Sequence, residues 1–311
     1  MSLPKRSGAR AASVRPERTE NLSFFVALHL TIRLKNDLPR LRGMRGGDIS
    51  YLSERKFDML KLFASDVDGT LLMNGETALG ENAQGLISAL LSAGVSFAAV
   101  SGRDIFSLRR IFNFAREKIF FAACGGAICV RAGHTLFSRP VSAESVRRAL
   151  KQSRESGEGA VFCTEKALYV NGGAELFDYV SESSGGMAKR INTLPDIKEP
   201  VCKISFYSKN FVWGLNETPF DLRVFNERSG WKEYINRFAD KGTALSELQA
   251  RTGIYASDTA SAGNEASDGA MLLRSAYRFA FDDSLANDTG AVRFHSPEEL
   301  LKLTLDILKN H

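Results

Sequence analysis

A short apolar run, Leu60, Leu62, Phe63 and Ala64, leads directly into Asp66-Val67-Asp68-Gly69-Thr70, and this junction constrains the fold more than anything else in the chain. A continuous apolar run of this length reads as a strand buried on both faces, the kind found in parallel sheets sandwiched by helices. Side chains two apart on a strand share a face. The carboxylates of Asp66 and Asp68 are therefore expected to emerge together at the strand's carboxyl end, where open α/β sheets bind ligands. Paired carboxylates in that position suit a divalent cation and a phosphate; the alternative is a solvated Asx turn.

Helix and strand signals alternate onward from that point. Asn82 to Ala93 carries Leu86, Leu90 and Leu91 at helical spacing and closes on Gly94. Val95 to Val100 is an apolar strand ending at Ser101-Gly102-Arg103; Asp104 caps a helix striped by Ile105, Leu108, Ile111 and Phe112; Ile119 to Ala123 is a further strand that turns at Gly125-Gly126. This β-α-β-α-β order predicts a doubly wound parallel sheet with right-handed crossovers. The rhythm changes near Pro140. A helix over Glu144–Arg154, strands at Ala160–Cys163 and Leu168–Val170, a helix near Ala174–Ser183 and strands near Lys203–Tyr207 and Leu222–Phe225 predict a separate α+β lobe. The first rhythm resumes near Gly242, with helices over Thr243–Thr252 and Asp268–Ala276, a strand at Arg278–Phe281 and a closing helix from Pro297 over Glu298–Leu308. One α/β core, residues 58–139 and 240–311, interrupted by an inserted α+β cap, residues 140–239, is the economical architecture.

The charge is unevenly distributed. Residues 1–56 hold 12 Lys and Arg against 5 Asp and Glu, and the remainder 29 against 31, so a tail of +7 precedes a body of −2. The tail can bind nucleic acid or an acidic membrane surface, but it lacks the aromatic interleaving of a base-stacking surface and reads rather as a disordered extension or a non-native leader; no nucleic acid is expected at the core. Phe24 to Ile32 is too short to span a bilayer, and no membrane association is expected. Cys124, Cys129, Cys163 and Cys202 show no C-x-x-C pairing and the four histidines are scattered, which argues against zinc or a disulfide framework and for a reducing cytoplasm.

Four chemically equipped stations follow one another in this context. They are Asp66 and Asp68, Ser101-Gly102-Arg103, Lys241-Gly242, and Gly263-Asn264 through Asp268. In this order they resemble the haloacid dehalogenase-like (HAD) phosphatase superfamily. Asp66-Val67-Asp68-Gly69-Thr70-Leu71-Leu72, Lys241-Gly242-Thr243-Ala244-Leu245 and Asp268-Gly269-Ala270-Met271-Leu272 look like its Cof-type subfamily, over roughly residues 60–308. The separation of 140 positions from Ser101 to Lys241 leaves room for that subfamily's large cap.

The resemblance implies a nucleophile at Asp66 forming an aspartyl phosphate and a general acid–base at Asp68. It further implies phosphate contacts from Thr70, Ser101, Gly102 and Lys241, and Mg²⁺ held by Asp66, Asp68, Asn264 and Asp268. Arg103 and Gly126 are candidates for substrate contact, as are Lys203, Arg223 and Arg190 in the cap. Two positions depart from the family pattern: Asn264 stands where a carboxylate is usual, and Gly125-Gly126-Ala127 where Asn-Gly-Ala is usual. The implied function is a Mg²⁺-dependent phosphatase of small phosphorylated metabolites such as sugar phosphates. The alternatives are a sugar phosphomutase and, because of Asn264, a weakly active or non-catalytic ligand-binding relative; oligomeric state and physiological substrate are open.

Overall fold

The structure, a computed structural model, describes residues 60–73, 76–210, 212–228 and 230–309; the expectations for residues 1–57 lie outside the described residues. Strand β1 (Leu62–Ser65) is buried along its whole length, as its unbroken apolar run requires. Helix α1 (Glu81–Ser92), β2 (Ser96–Val100), α2 (Ile105–Ile111) and β3 (Phe120–Ala123) follow, with Asp104 capping α2 by accepting the N–H groups of Phe106 and Ser107. Then β4 (Ile128–Arg131) and β5 (His134–Ser138) form a hairpin that the sequence pattern did not announce. The chain between β3 and β5 is too short for a crossover, so these strands must run antiparallel. The turn residues Ala132 and Gly133 take left-handed φ values of 48° and 76°, the conformation two-residue hairpins favour.

Between Ala143 and Asn236 the chain builds a second sheet. Its elements are α3 (Ala143–Ser156), β6 (Gly159–Cys163), β7 (Leu168–Asn171), α4 (Ala174–Ser184), β8 (Ala188–Arg190), β9 (Lys203–Tyr207), β10 (Leu222–Arg228) and β11 (Trp231–Asn236). The strands lie in the order β10-β11-β9-β6-β7-β8, antiparallel except for the β7–β8 pair. Strand alternation divides the side chains between two faces. Ala160, Phe162, Tyr169, Ile204, Phe206 and Tyr234 pack with Val146, Ala149 and Leu150 of α3, while Val161, Cys163, Leu168, Val170 and Ile235 join the cluster that continues into the first sheet's core.

The chain then returns through α5 (Lys241–Thr252), β12 (Thr259–Gly263), α6 (Gly269–Leu272), β13 (Tyr277–Ala280), α7 (Asp283–Thr289), β14 (Val292–Arg293) and α8 (Pro297–Lys309). The first sheet has the order β14-β13-β12-β1-β2-β3-β4-β5, parallel from β14 to β3. One face stacks Phe63 between Phe97 and Phe279 at ring separations of 6.1 Å and takes Leu86, Leu90 and Leu300 from α1 and α8. The other face sets Leu62, Ala64, Ala98 and Val100 against Ala244, Leu245 and Leu248 of α5. This is the doubly wound α/β core. The helix expected over Asp268–Ala276 is shorter, a 3₁₀ turn at Ala266–Asp268 followed by the single turn of α6.

Candidate active site

The central strands β1, β2 and β12 end together, and the loops leaving them carry three of the four stations. β1 ends at Ser65, so Asp66 already lies beyond the pleat. Strand alternation therefore does not decide where Asp68 points, as the sequence argument assumed. A turn does so instead: Thr70, Leu71 and Leu72 all direct their N–H groups at the Val67 carbonyl, and Gly69 sits at φ 79°. The turn separates the two carboxylates by environment. Asp66 is buried, whereas the Asp68 side chain is half exposed.

Asp66 lies within a buried ionic chain. Lys241 Nζ, at the first residue of α5, donates to Asp66 Oδ1 at 2.6 Å and to Asp268 Oδ1 at 2.7 Å. Asp268 Oδ2 accepts the backbone N–H groups of Asn264 and Glu265, both at 3.0 Å. Burial raises the Asp66 carboxyl to about 7 against the pull of Lys241. Burial also opposes the charge on Lys241, but the flanking carboxylates overcome it and hold the ammonium above its ordinary value. The 2.6 Å contact is thus an ion pair at alkaline pH, and the desolvated carboxyl takes up a proton near neutrality.

Thr70 Oγ1 lies 3.2 Å from both Asp66 Oδ2 and Asn264 Oδ1. A hydroxyl has one hydrogen, so one of these oxygens has no share in it. Two oxygens competing for one donor beside a desolvated carboxylate suit a hard cation, and the Asn264 amide oxygen is a competent ligand for one. Asn264 is held there by close approach: a Cβ at Gly69 would stand 2.2 Å from its Nδ2. Asp268 Oδ2 already accepts two amides, whereas Oδ1 keeps a lone pair beside its bond from the lysine. Among the described residues no group of three or more His, Cys, Asp or Glu is clustered for a metal, so a cation here would rely on amide and carbonyl oxygens as well.

Ser101 follows β2 and is buried; its hydroxyl accepts the Arg103 N–H at 3.1 Å and its carbonyl the Gly125 N–H at 2.9 Å. Arg103 grips Asp68 through two nitrogens, Nη2 to Oδ1 at 2.7 Å and Nε to Oδ2 at 2.9 Å, and this hydrogen bonding raises the guanidinium further. Gly126 was expected at the substrate. The structure places it, at φ 90°, where a Cβ would meet the Asp240 carbonyl oxygen at 2.5 Å and the Ala244 Cβ at 2.9 Å. Its bare backbone lets α5 approach closely and brings Lys241 into reach.

The cap cations have other partners than a free cleft. Arg190 stacks over Phe177 at 4.2 Å, and Arg223 donates to the Ala239 carbonyl at 2.7 Å. Lys203 pairs with Glu233 at 2.7 Å and donates to the Gly102 carbonyl at 2.8 Å. Neither Glu233 nor Phe225, whose ring lies against Gly102 and Gly125, was found by sequence reasoning; an acidic residue facing inward from a strand was the available signal for Glu233. All four cysteines are buried and free.

A sequence model of the haloacid dehalogenase-like hydrolases matches residues 63–289. The chain belongs to that family. Within it the chain is a HAD-like hydrolase of the Cof-type pattern. It is 20% identical over 257 residues to the 5-amino-6-(5-phospho-D-ribitylamino)uracil phosphatase YbjI of Escherichia coli K12, covering 80% of this chain and 95% of that protein. The HAD fold is shared with a Eubacterium rectale crystal structure (TM-score 0.70, 18% identity, 81% of this chain and 100% of the other). It is shared as well with the HAD subclass IIB sugar phosphatase BT4131 (TM-score 0.63, 16% identity, 79% of this chain and 99% of the other). No helix among the described residues is long and apolar enough to cross a membrane.

Proposed function

We propose that this HAD phosphatase is a Mg²⁺-dependent, cytoplasmic enzyme that hydrolyses small phosphorylated metabolites through an aspartyl phosphate on Asp66. The observation that carries this reading is the buried Asp66–Lys241–Asp268 chain standing beside the Ser101 loop. Asp66 attacks phosphorus through a carboxylate oxygen, the bond from phosphorus to the leaving oxygen breaks, and Asp68 gives that oxygen a proton. Water then attacks phosphorus while Asp68 accepts one of the water's protons, and the bond from phosphorus to the Asp66 oxygen breaks, releasing phosphate and the free carboxylate, so one displacement becomes two easier ones. Lys241, the Ser101 hydroxyl, the Thr70 hydroxyl and the Gly102 amide receive the charge carried by the non-bridging oxygens. Arg103 orients Asp68 until substrate arrives.

The donor set fits Mg²⁺, which Asp66, the Asp68 carbonyl, Asn264 and Asp268 would hold. Its contribution when bound is to neutralise charge on the transferring phosphoryl group. The YbjI and BT4131 names point the substrate search at polyol and sugar phosphates. Phosphate release from such a panel, with and without Mg²⁺, tests the reading together with trapping of an acid-stable, base-labile phosphoenzyme. Wild type should release phosphate and form the adduct, and Asp66→Asn should do neither. Transfer to a sugar without release of phosphate would make it a phosphomutase, and absence of the adduct with retained ligand binding would make it a non-catalytic relative.

A further inference from the structure

Phe225 on β10 lies over the loops around Ser101 in a way the catalytic roles leave unexplained. A Cβ at Gly102 would stand 2.7 Å from the ring's Cε1, and one at Gly125 would stand 2.6 Å from Cε2. The ring therefore rests on two bare backbones at once. Both flank Ser101, since Gly102 follows it and the Gly125 N–H donates to its carbonyl at 2.9 Å. The φ of 66° at Gly125 is not sufficient reason for glycine there, because asparagine also visits the left-handed region. What a side chain at 125 cannot do is share that space with the ring.

The ring's position is fixed by polar neighbours. Asn226 Nδ2 donates to Glu233 Oε2 at 3.0 Å; Glu233 Oε1 receives Lys203 and Ser205 at 2.7 and 2.9 Å; and Lys203 continues to the Gly102 carbonyl at 2.8 Å. Lys203 and Glu233 are both buried. Strand β10 is thereby tied to the very loop its aromatic ring covers. Phe225 itself is only half-buried, so part of the ring remains accessible.

We infer that Phe225 is a specificity-determining residue: its ring roofs the pocket over Ser101 and limits the bulk of whatever is esterified to the phosphate. Slim, flexible leaving groups such as primary alcohols and open-chain polyols pass under the ring; a planar bicyclic group carried directly on the ester oxygen does not. This rests on the phosphatase reading above.

The test compares kcat/KM for glycerol 3-phosphate and 1-naphthyl phosphate, with Mg²⁺, in wild type, Phe225→Ala, Gly125→Asn and the double variant. Phe225→Ala should raise the naphthyl-to-glycerol ratio at least tenfold. Gly125→Asn should depress both substrates at least tenfold, and adding Phe225→Ala should bring the double variant to within threefold of Phe225→Ala alone, because the ring is what the asparagine meets. A ratio within twofold of wild type in Phe225→Ala overturns the inference, as does a correctly melting double variant that stays as impaired as Gly125→Asn. A wild type that releases phosphate neither from these two substrates nor from the polyol- and sugar-phosphate panel overturns the phosphatase reading and this inference with it; an active wild type with an unmoved ratio overturns only the role of Phe225.

Discussion

Asp66 carries opposing pressures, and they make its behaviour testable. Burial raises its carboxyl to about 7, well above the unfolded value of 3.8. Between those pH values the folded chain binds a proton that the unfolded chain does not, so metal-free stability from this group falls as pH rises through the window. Asp66→Asn removes that slope. In EDTA the variant should gain stability over wild type on going from pH 5 to pH 8, by on the order of 2 kcal/mol, as read by thermal denaturation. Asn264 gives a second residue-scale expectation. Asn264→Asp places a charge beside Asp66 Oδ2, across the shared Thr70 hydroxyl, which should lower the Mg²⁺ concentration for half-maximal activity at least tenfold. An unchanged Mg²⁺ titration would contradict the assignment of Asn264 as a ligand.

At the scale of elements, the parallel strands that declared themselves were those with an unbroken apolar run buried on both faces. β1, β2 and β3 read directly from Leu62–Ala64, Phe97–Val100 and Phe120–Ala123 because the sheet buries both faces. β11 stayed hidden because Glu233 sits inward among Tyr234 and Ile235, breaking the pattern, and its justification, Lys203, lies 30 residues away. The site divides in the same way. The residues of the four stations were legible as motifs, but the Arg103–Asp68 grip, the packing role of Gly126 and the place of Phe225 depend on contacts between distant segments. The Lys203–Glu233 pair should behave as a buried ion pair does. Lys203→Met strands a carboxylate and should cost about 3 kcal/mol in urea denaturation, while Lys203→Met combined with Glu233→Leu should cost less than the single change. Gly126→Ala should cost more than about 2 kcal/mol and impair turnover as well, since its Cβ would push the start of α5, with Lys241, away from Asp66.

Among the described residues the two sheets meet through a shared apolar cluster and through identifiable polar and ring contacts. Ser107 and Arg110 of α2 donate to the Ser183 carbonyl at the end of α4, Lys203 reaches the Gly102 carbonyl, and Phe225 covers Gly102 and Gly125. In the mechanism proposed above, substrate would pass beneath Phe225 and part this seam, so opening is expected to limit turnover on good substrates. Added glycerol or sucrose should then reduce kcat in proportion to relative viscosity for a fast substrate and leave a slow one untouched.

Two carboxylates and one ammonium, buried together, sum to a single negative charge above neutral pH. An incoming phosphomonoester has the same sign, so the empty pocket repels its own cargo until a counter-charge arrives. Binding should consequently be ordered, with inorganic phosphate protecting the protein from heat in the presence of Mg²⁺ and offering nothing in EDTA.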